Sequence, residues 1–274
     1  MYVFLTILIG FSGAVLAGMF GIGGAGLTTL ALRVVLGAPA AIALGTPLPV
    51  VIPTALVGSL TYYRNGLLDL RLAGWCSLGG VAGSVGGAML TKVLDLRYLM
   101  LLTGAIVLYL AGMMIYRGVT GHVQPDVAVE DDTVLSPADG GAETPAAGGA
   151  TRQSALLYVA VGLAGGFFSG LLGIGGGIVM VPAFLYVLRV PIKRAFGTSL
   201  AVITIIAIPG TIVHSVLGHI SWSLFLYLII GVIPGAYLGA KLAIKAREPF
   251  LYMGFGIMVA VFGVTFIVNE IIHL

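Results

Sequence analysis

Two short glycine runs hold the residue types that can bind an anion without any charged side chain: GIGGAG at residues 21–26 and GIGGGI at residues 173–178. The first spells G-x-G-x-x-G through Gly21, Gly23 and Gly26, a spacing that in soluble βαβ units cradles a dinucleotide pyrophosphate. That use also needs an acidic residue about 20 positions further on. Here the chain reads LGTPLP at that distance, and the second copy breaks the spacing at Ile178. The underlying physics survives without the nucleotide. Glycine permits positive φ and close backbone approach, and a helix starting there offers unpaired N–H groups and a partial positive charge. Downstream of each run lies a hydroxyl motif, GTPL with Thr46 and GTSL with Thr198 and Ser199. The expected segment boundaries put these hydroxyls at helix starts, where they can cap the helix or donate to a ligand.

Other chemistry is scarce. Asp69, Asp95, Glu248 and Glu270 fall at expected segment ends and the remaining acids cluster near the middle of the chain, so no carboxylate lies deep in an apolar segment. Cation pumps and many proton-coupled carriers use such carboxylates, and their absence points to an anionic or neutral substrate. His214 is the one histidine placed within an apolar segment, either as a hydrogen-bonded structural residue or as a proton relay. His122, His219 and His273 fall in loops or at the terminus and form no metal-ligand spacing. A single cysteine, Cys76, excludes an intrachain disulfide and a thiolate cluster, and reads as a packing residue. An intramembrane enzyme would pair Ser169 or Cys76 with His214, but none of them sits in a recognisable motif. Neither catalysis nor a cofactor is expected.

The elements that position these residues follow from composition. Only 8% of the residues are charged and 59% are hydrophobic, with a mean hydropathy of +1.13, far from the values of soluble domains. Residues 1–32, 34–63, 72–91, 98–116, 153–188, 195–240 and 249–269 contain no Asp, Glu, Lys or Arg. Each stretch is long enough for a membrane span of ~20 apolar residues. No positive charge precedes the first segment, so it reads as a span and not a secretory signal. The net charge of +3 comes with no basic stripe, which argues against nucleic acid as a partner. The bilayer is the partner that this composition demands.

Shifted by 152 residues, the chain aligns with itself without a gap: LAGMFGIGGAG meets FSGLLGIGGGI, AIALGTPL meets KRAFGTSL, and GSVGGAML meets GAYLGAKL. Two repeats, 1–117 and 154–274, flank a linker at 118–153 that carries six of the ten acidic residues amid Pro, Gly, Ala and Thr. Such a composition reads as flexible and water-exposed. Each repeat holds five helical segments, expected at 2–20, 26–37, 42–63, 71–92 and 97–117 and at the same numbers plus 152. The second segment is too short to cross the ~30 Å core, so it re-enters or tilts. An odd number of reversals inverts one repeat relative to the other; if the first two segments instead form one broken span, the repeats run parallel and the basic residues divide nine to four. Under inversion they divide as Arg33, Lys92 and Arg97 on one side and the other ten on the opposite side, which the positive-inside rule makes cytoplasmic. The expected fold is an all-α polytopic transmembrane bundle of two inverted five-segment repeats with broken or re-entrant helices. Its linker is cytoplasmic and both termini lie outside the cell membrane.

The second repeat, FFSGLLGIGGGIVMVPAFLYVLRVPIKRAFGTSL, resembles the sulfite exporter (TauE/SafE) family of membrane transporters, and the likeness covers nearly the whole chain outside the linker. The first repeat matches more loosely, with GIGGAG for the triple glycine and GTPL for GTSL. The resemblance implies export of small sulfur-containing anions such as sulfite, thiosulfate or an organosulfonate like sulfoacetate. Carried over residue by residue, it implies a substrate site at Gly175, Gly176, Gly177, Thr198 and Ser199, with Gly23, Gly24 and Thr46 as their pseudo-symmetric partners. Alternating access about an anion held by N–H and hydroxyl donors is the expected mechanism. An anion channel or facilitator of the same architecture is the alternative.

Overall fold

A computed structural model of the chain describes residues 2–90, 96–120, 148–172 and 176–272, and among these every element is a helix. The first half contributes α1 (Tyr2–Phe20), α2 (Ala25–Val34), α3 (Ala40–Gly45), α4 (Pro47–Tyr63), α5 (Leu70–Leu90) and α6 (Leu96–Thr120). The second contributes α7 (Gly148–Leu172), α8 (Gly177–Tyr186), α9 (Ile192–Val216), α10 (Trp222–Lys245) and α11 (Glu248–Ile272). Adding 152 to the bounds of α2 and α6 gives those of α8 and α11. Backbone conformation repeats as well. Gly24 and Gly176 take φ of 83° and 67°, and Gly66 and Gly218 take 67° and 70°. Most of the 118–153 stretch lies outside the described residues.

Five helical stretches among the described residues are long and apolar enough to cross a membrane: 3–20, 41–63, 192–216, 222–245 and 248–265. The span at 41–63 departs from the expected segments by a break at Thr46 between α3 and α4, and α6 and α7 also run into the expected linker, to Thr120 and from Gly148. Thr46 itself keeps helical angles, φ −63° and ψ −35°. The break arises because Pro47 and Pro49 carry no N–H, so rungs of the hydrogen-bond ladder are missing. At the same register α9 has Ser199 and Ala201 and continues unbroken.

Glycines set how closely the helices pack. A methyl at Gly10 would sit 2.7 Å from the Leu228 carbonyl oxygen, and one at Gly18 would sit 2.5 Å from that of Ala236. The positions 152 residues on behave alike: Gly162 abuts Cys76 and Gly170 abuts Ser84. Thus α1 lies along α10 and α7 along α5, each pair running in the same direction. Equivalent helices pack in opposite directions. Along α4 and α9, Gly58 meets Leu200 and Gly210 meets Leu48, and along α6 and α11, Gly118 meets Met253 and Gly256 meets Ile115. A triad of rings, Phe20, Phe196 and Phe255, joins α1, α9 and α11 with centroids 5.8–6.3 Å apart.

Candidate functional site

Each glycine run leads into a half-length helix, α2 or α8. In the first run Gly21, Gly23 and Gly24 all take positive φ, 71°, 77° and 83°, a region that costs other L-residues about 1 kcal/mol or more. The chain reverses there. The loop after α2 returns beside the start of α1, where Leu36, Gly37 and Pro39 share a cavity of about 450 Å³ with Val3 and Thr6. At ten residues, α2 covers about 15 Å, half the hydrocarbon core. Gly176 plays the same part before α8, whereas Gly175 lies outside the described residues. Neither α2 nor α8 has a side-chain cap, so their first-turn N–H groups keep donors for a ligand.

The two hinges touch. A methyl at Gly177 would lie 2.5 Å from the Ile22 Cα and 2.6 Å from the Gly21 carbonyl oxygen, while one at Gly23 would lie 2.8 Å from Ile203 Cγ2 and 3.3 Å from Val51 Cγ1. Val51 and Ile203 occupy equivalent positions, 152 apart, near the middle of spans 41–63 and 192–216. Both are 2% exposed. The paired helix starts therefore meet at mid-span, beneath two branched apolar side chains.

Thr46 sits at the start of α4, as the expected segment boundaries had placed it, although its side chain does not cap that helix. Thr198 and Ser199, by contrast, lie inside α9 and not at its start. Each threonine caps a helix of the other half. Thr198 Oγ1 accepts the N–H of Asp69, the residue before α5, at 3.2 Å. Thr46 Oγ1 accepts the N–H of Ser221, the N-cap of α10, at 3.0 Å. Both threonines are fully buried, and the preceding glycines, Gly45 and Gly197, let the incoming loops approach: a methyl at Gly45 would sit 2.7 Å from His219 Cβ, and one at Gly197 would run into the Leu67 carbonyl. Ser199, also fully buried, donates its hydroxyl to the Gly21 carbonyl at 2.7 Å and ties α9 directly to the first hinge. Position 47, its counterpart, is proline, so this tie is one-sided.

His214 lies in the last turn of α9 with its ring 5.4 Å from that of His219, and its Nδ1 is buried without a hydrogen-bond partner. Its counterpart Tyr62 directs its hydroxyl at the carbonyls of Gly18 and Met19, 3.2 and 3.3 Å away, at the end of α1. Among the described residues no group of three or more His, Cys, Asp or Glu is close enough to hold a metal, and no carboxylate is buried. Cys76 is buried in α5 with its thiol on the Tyr158 carbonyl at 3.1 Å. Sequence reasoning missed Val51 and Ile203. Their signal was an apolar residue at the same register in both halves, in the middle of the span that follows each glycine run.

Helices of membrane length, two half-length helices hinged on glycine at mid-span, and the lack of a buried carboxylate among the described residues define a polytopic membrane protein of the broken-helix transporter kind. The chain belongs to the sulfite exporter TauE/SafE family, whose model matches residues 6–266, and is a membrane transporter. It is 29% identical over 239 residues to the "Probable membrane transporter protein YdhB" of Bacillus subtilis, covering 86% of this chain and 89% of that one. To a "Probable membrane transporter protein" of Xylella fastidiosa it is 28% identical over 245 residues, 88% of this chain and 86% of the relative. "Probable membrane transporter protein YunE" of Bacillus subtilis is 27% identical over 201 residues, 73% and 70% of the two chains. No solved structure matches the chain.

Proposed function

We propose that this transporter exports a small sulfur-containing anion, such as sulfite, thiosulfate or an organosulfonate like sulfoacetate, by alternating access of two inverted halves. The observation that carries the reading is the meeting of two uncapped half-helix starts at mid-span, at residues 152 apart. Two such starts offer N–H donors and partial positive charge from both sides, which suits an oxyanion and needs no buried arginine. In this account Gly23, Gly24, Gly175, Gly176 and Gly177 surround the anion. Thr46 and Thr198 brace the site through the opposite half, and Ser199 releases Gly21 to donate to the substrate.

Inversion is supported by the antiparallel packing of equivalent helices, α4 with α9 and α6 with α11. A twofold axis along the membrane normal would leave equivalent helices parallel. Together with the three-to-ten division of basic residues, this supports repeats at 1–117 and 154–274, a cytoplasmic linker at 118–153 and both termini outside the cell membrane. Val51 and Ile203 close the hinges in this state, which favours a carrier over an open channel. The test is efflux of sulfite and thiosulfate from liposomes reconstituted with the protein. Saturable efflux with counterflow supports the carrier, flux without saturation supports a channel, and no flux of any sulfur anion rejects the substrate class.

A further inference from the structure

The ends of α4 and α9 are built on one plan with different side chains. Both close in the same left-handed glycine stop. In the first half Gly66 N–H bonds the Tyr63 carbonyl and Leu67 N–H bonds the Tyr62 carbonyl, each at 3.0 Å. In the second, Gly218 N–H bonds the Ser215 carbonyl at 3.2 Å and His219 N–H bonds the His214 carbonyl at 3.0 Å. This double bond pattern normally comes with an apolar contact between the two outer residues of the motif. Tyr62 and Leu67 supply such a pair. At the matching positions the second half has two imidazoles, with ring centroids 5.4 Å apart. His214 Nδ1 is buried and unpartnered, so the ring is held by its neighbour and not by a fixed hydrogen bond.

We propose that His214 and His219 form a proton-binding pair that latches the loop at 217–221 onto Gly45 and Thr46, and that protonation of both rings releases it. This rests on the transporter reading above, whose inverted topology puts that loop on the outer side. The packing makes the latch specific. His219 abuts Gly45, Ser221 hangs on Thr46, and both contacts lie within the loop that the histidines hold. Among the described residues, the elements around the pair supply no countercharge: α3 (AAIALG), the start of α4 (PLPV), the last turns of α5 (GGAML) and the first turn of α10 (WSLF) contain no ionisable side chain. Within α9 the charged residues, Lys193 and Arg194, lie at the far end. Two imidazolium ions at the 5.4 Å separation of these rings repel, where the neutral rings pack.

The test reads loop opening without any substrate, so it stands apart from the identity of the cargo. In a C76A background, which removes the single cysteine, Ile220→Cys places a thiol at a loop position 8% exposed, and Val216→Cys places one at a position 83% exposed. The rate of labelling by a charged methanethiosulfonate is measured at pH about 7.5 and about 5.5, on either side of the ordinary imidazole range. The ratio of the two cysteines' rates cancels the thiol's own titration. The ratio for Ile220→Cys over Val216→Cys is expected to rise about tenfold on acidification, as repulsion between two charges predicts at intermediate screening. The H214Y/H219L variant, which installs the Tyr62–Leu67 pair, removes the rise, and H219Q removes most of it. A flat ratio in the native pair, or the same rise in H214Y/H219L, overturns the proposal. Methanesulfonate, whose charge is constant over this pH range, serves in a parallel flux assay. Failure of sulfite, thiosulfate and methanesulfonate all to move would reject the cargo while the labelling ratio still decides the latch.

Discussion

Thr198 holds the start of a helix that belongs to the other half of the molecule: its Oγ1 accepts the Asp69 N–H at 3.2 Å, across 129 residues of chain. Thr46 does the same for Ser221 across 175 residues. The Asp69 carboxylate in turn accepts the Leu72 N–H at 2.8 Å, and the Ser221 hydroxyl accepts from Leu224. Each half thereby anchors the other at opposite ends of the bundle, and both anchors branch from the motif that follows a glycine hinge.

Removing either hydroxyl leaves a buried N–H unpaired. T198V and T46V should each lower stability by about 1 kcal/mol, with T198S and T46S near the native value. Thermal unfolding in detergent measures this. Native-like melting of both valine variants would mean that the trans caps contribute nothing.

Glycine substitutions should separate by what surrounds them. Gly177→Ala drives a methyl into the backbone of Ile22 and Gly21 and should cost about 1–3 kcal/mol together with most of the flux. Gly86→Ala, with nothing within 4 Å of the new methyl, should be neutral or stabilise α5 by up to ~1 kcal/mol. Equal behaviour of the two would show that the hinge contact carries no weight.

The apolar plug makes a prediction of opposite sign for stability and leak. I203A and V51A should destabilise, I203A by about 2–4 kcal/mol, while increasing passive anion leak through reconstituted liposomes. A tighter or unchanged protein would place the gate elsewhere.

Inversion can be checked by labelling. In a C76A background, Val35→Cys, at a position 52% exposed on the α2–α3 loop, should react with an impermeant reagent added outside intact cells. Val187→Cys, the equivalent position 152 residues on and 53% exposed, should react only after permeabilisation. Labelling of both from one side would refute the topology.

Much of this architecture was legible in the chain because it is written twice. The glycine runs at 21–26 and 173–178 marked both hinges, and an offset of 152 carried helix bounds from one half to the other. Proline alone did not mark where helices part: Pro47 and Pro49 lie where α3 gives way to α4, whereas Pro53 and Pro209 lie inside continuous α4 and α9. What the chain hid was partnership between halves. The spacing between Thr198 and its own helix start says nothing of Asp69, because that contact exists only once α5 has packed against the second half. The plug was hidden for a similar reason: Val51 and Ile203 look like any core residues until Gly23 is seen beneath them both. The two helix stops looked alike by their glycines, Gly66 and Gly218, and only the fold shows that Tyr62 and Leu67 answer to two histidines.

The central claim, an anion held between two half-helix starts, is tested most directly by calorimetric titration of sulfite and thiosulfate into the detergent-solubilised protein and its Ser199→Ala and Ile203→Asp variants. Chloride and a neutral sugar serve as controls. The account predicts saturable binding of a sulfur anion to the native protein. In S199A, which loses the hydroxyl beside Gly21, binding should weaken by about tenfold or more, as loss of a charge-assisted hydrogen bond requires. In a folded I203D protein binding should vanish, since a carboxylate would then occupy the positive ends of α2 and α8. Undiminished binding in a folded I203D protein, or no binding of any sulfur anion to the native protein, would contradict it.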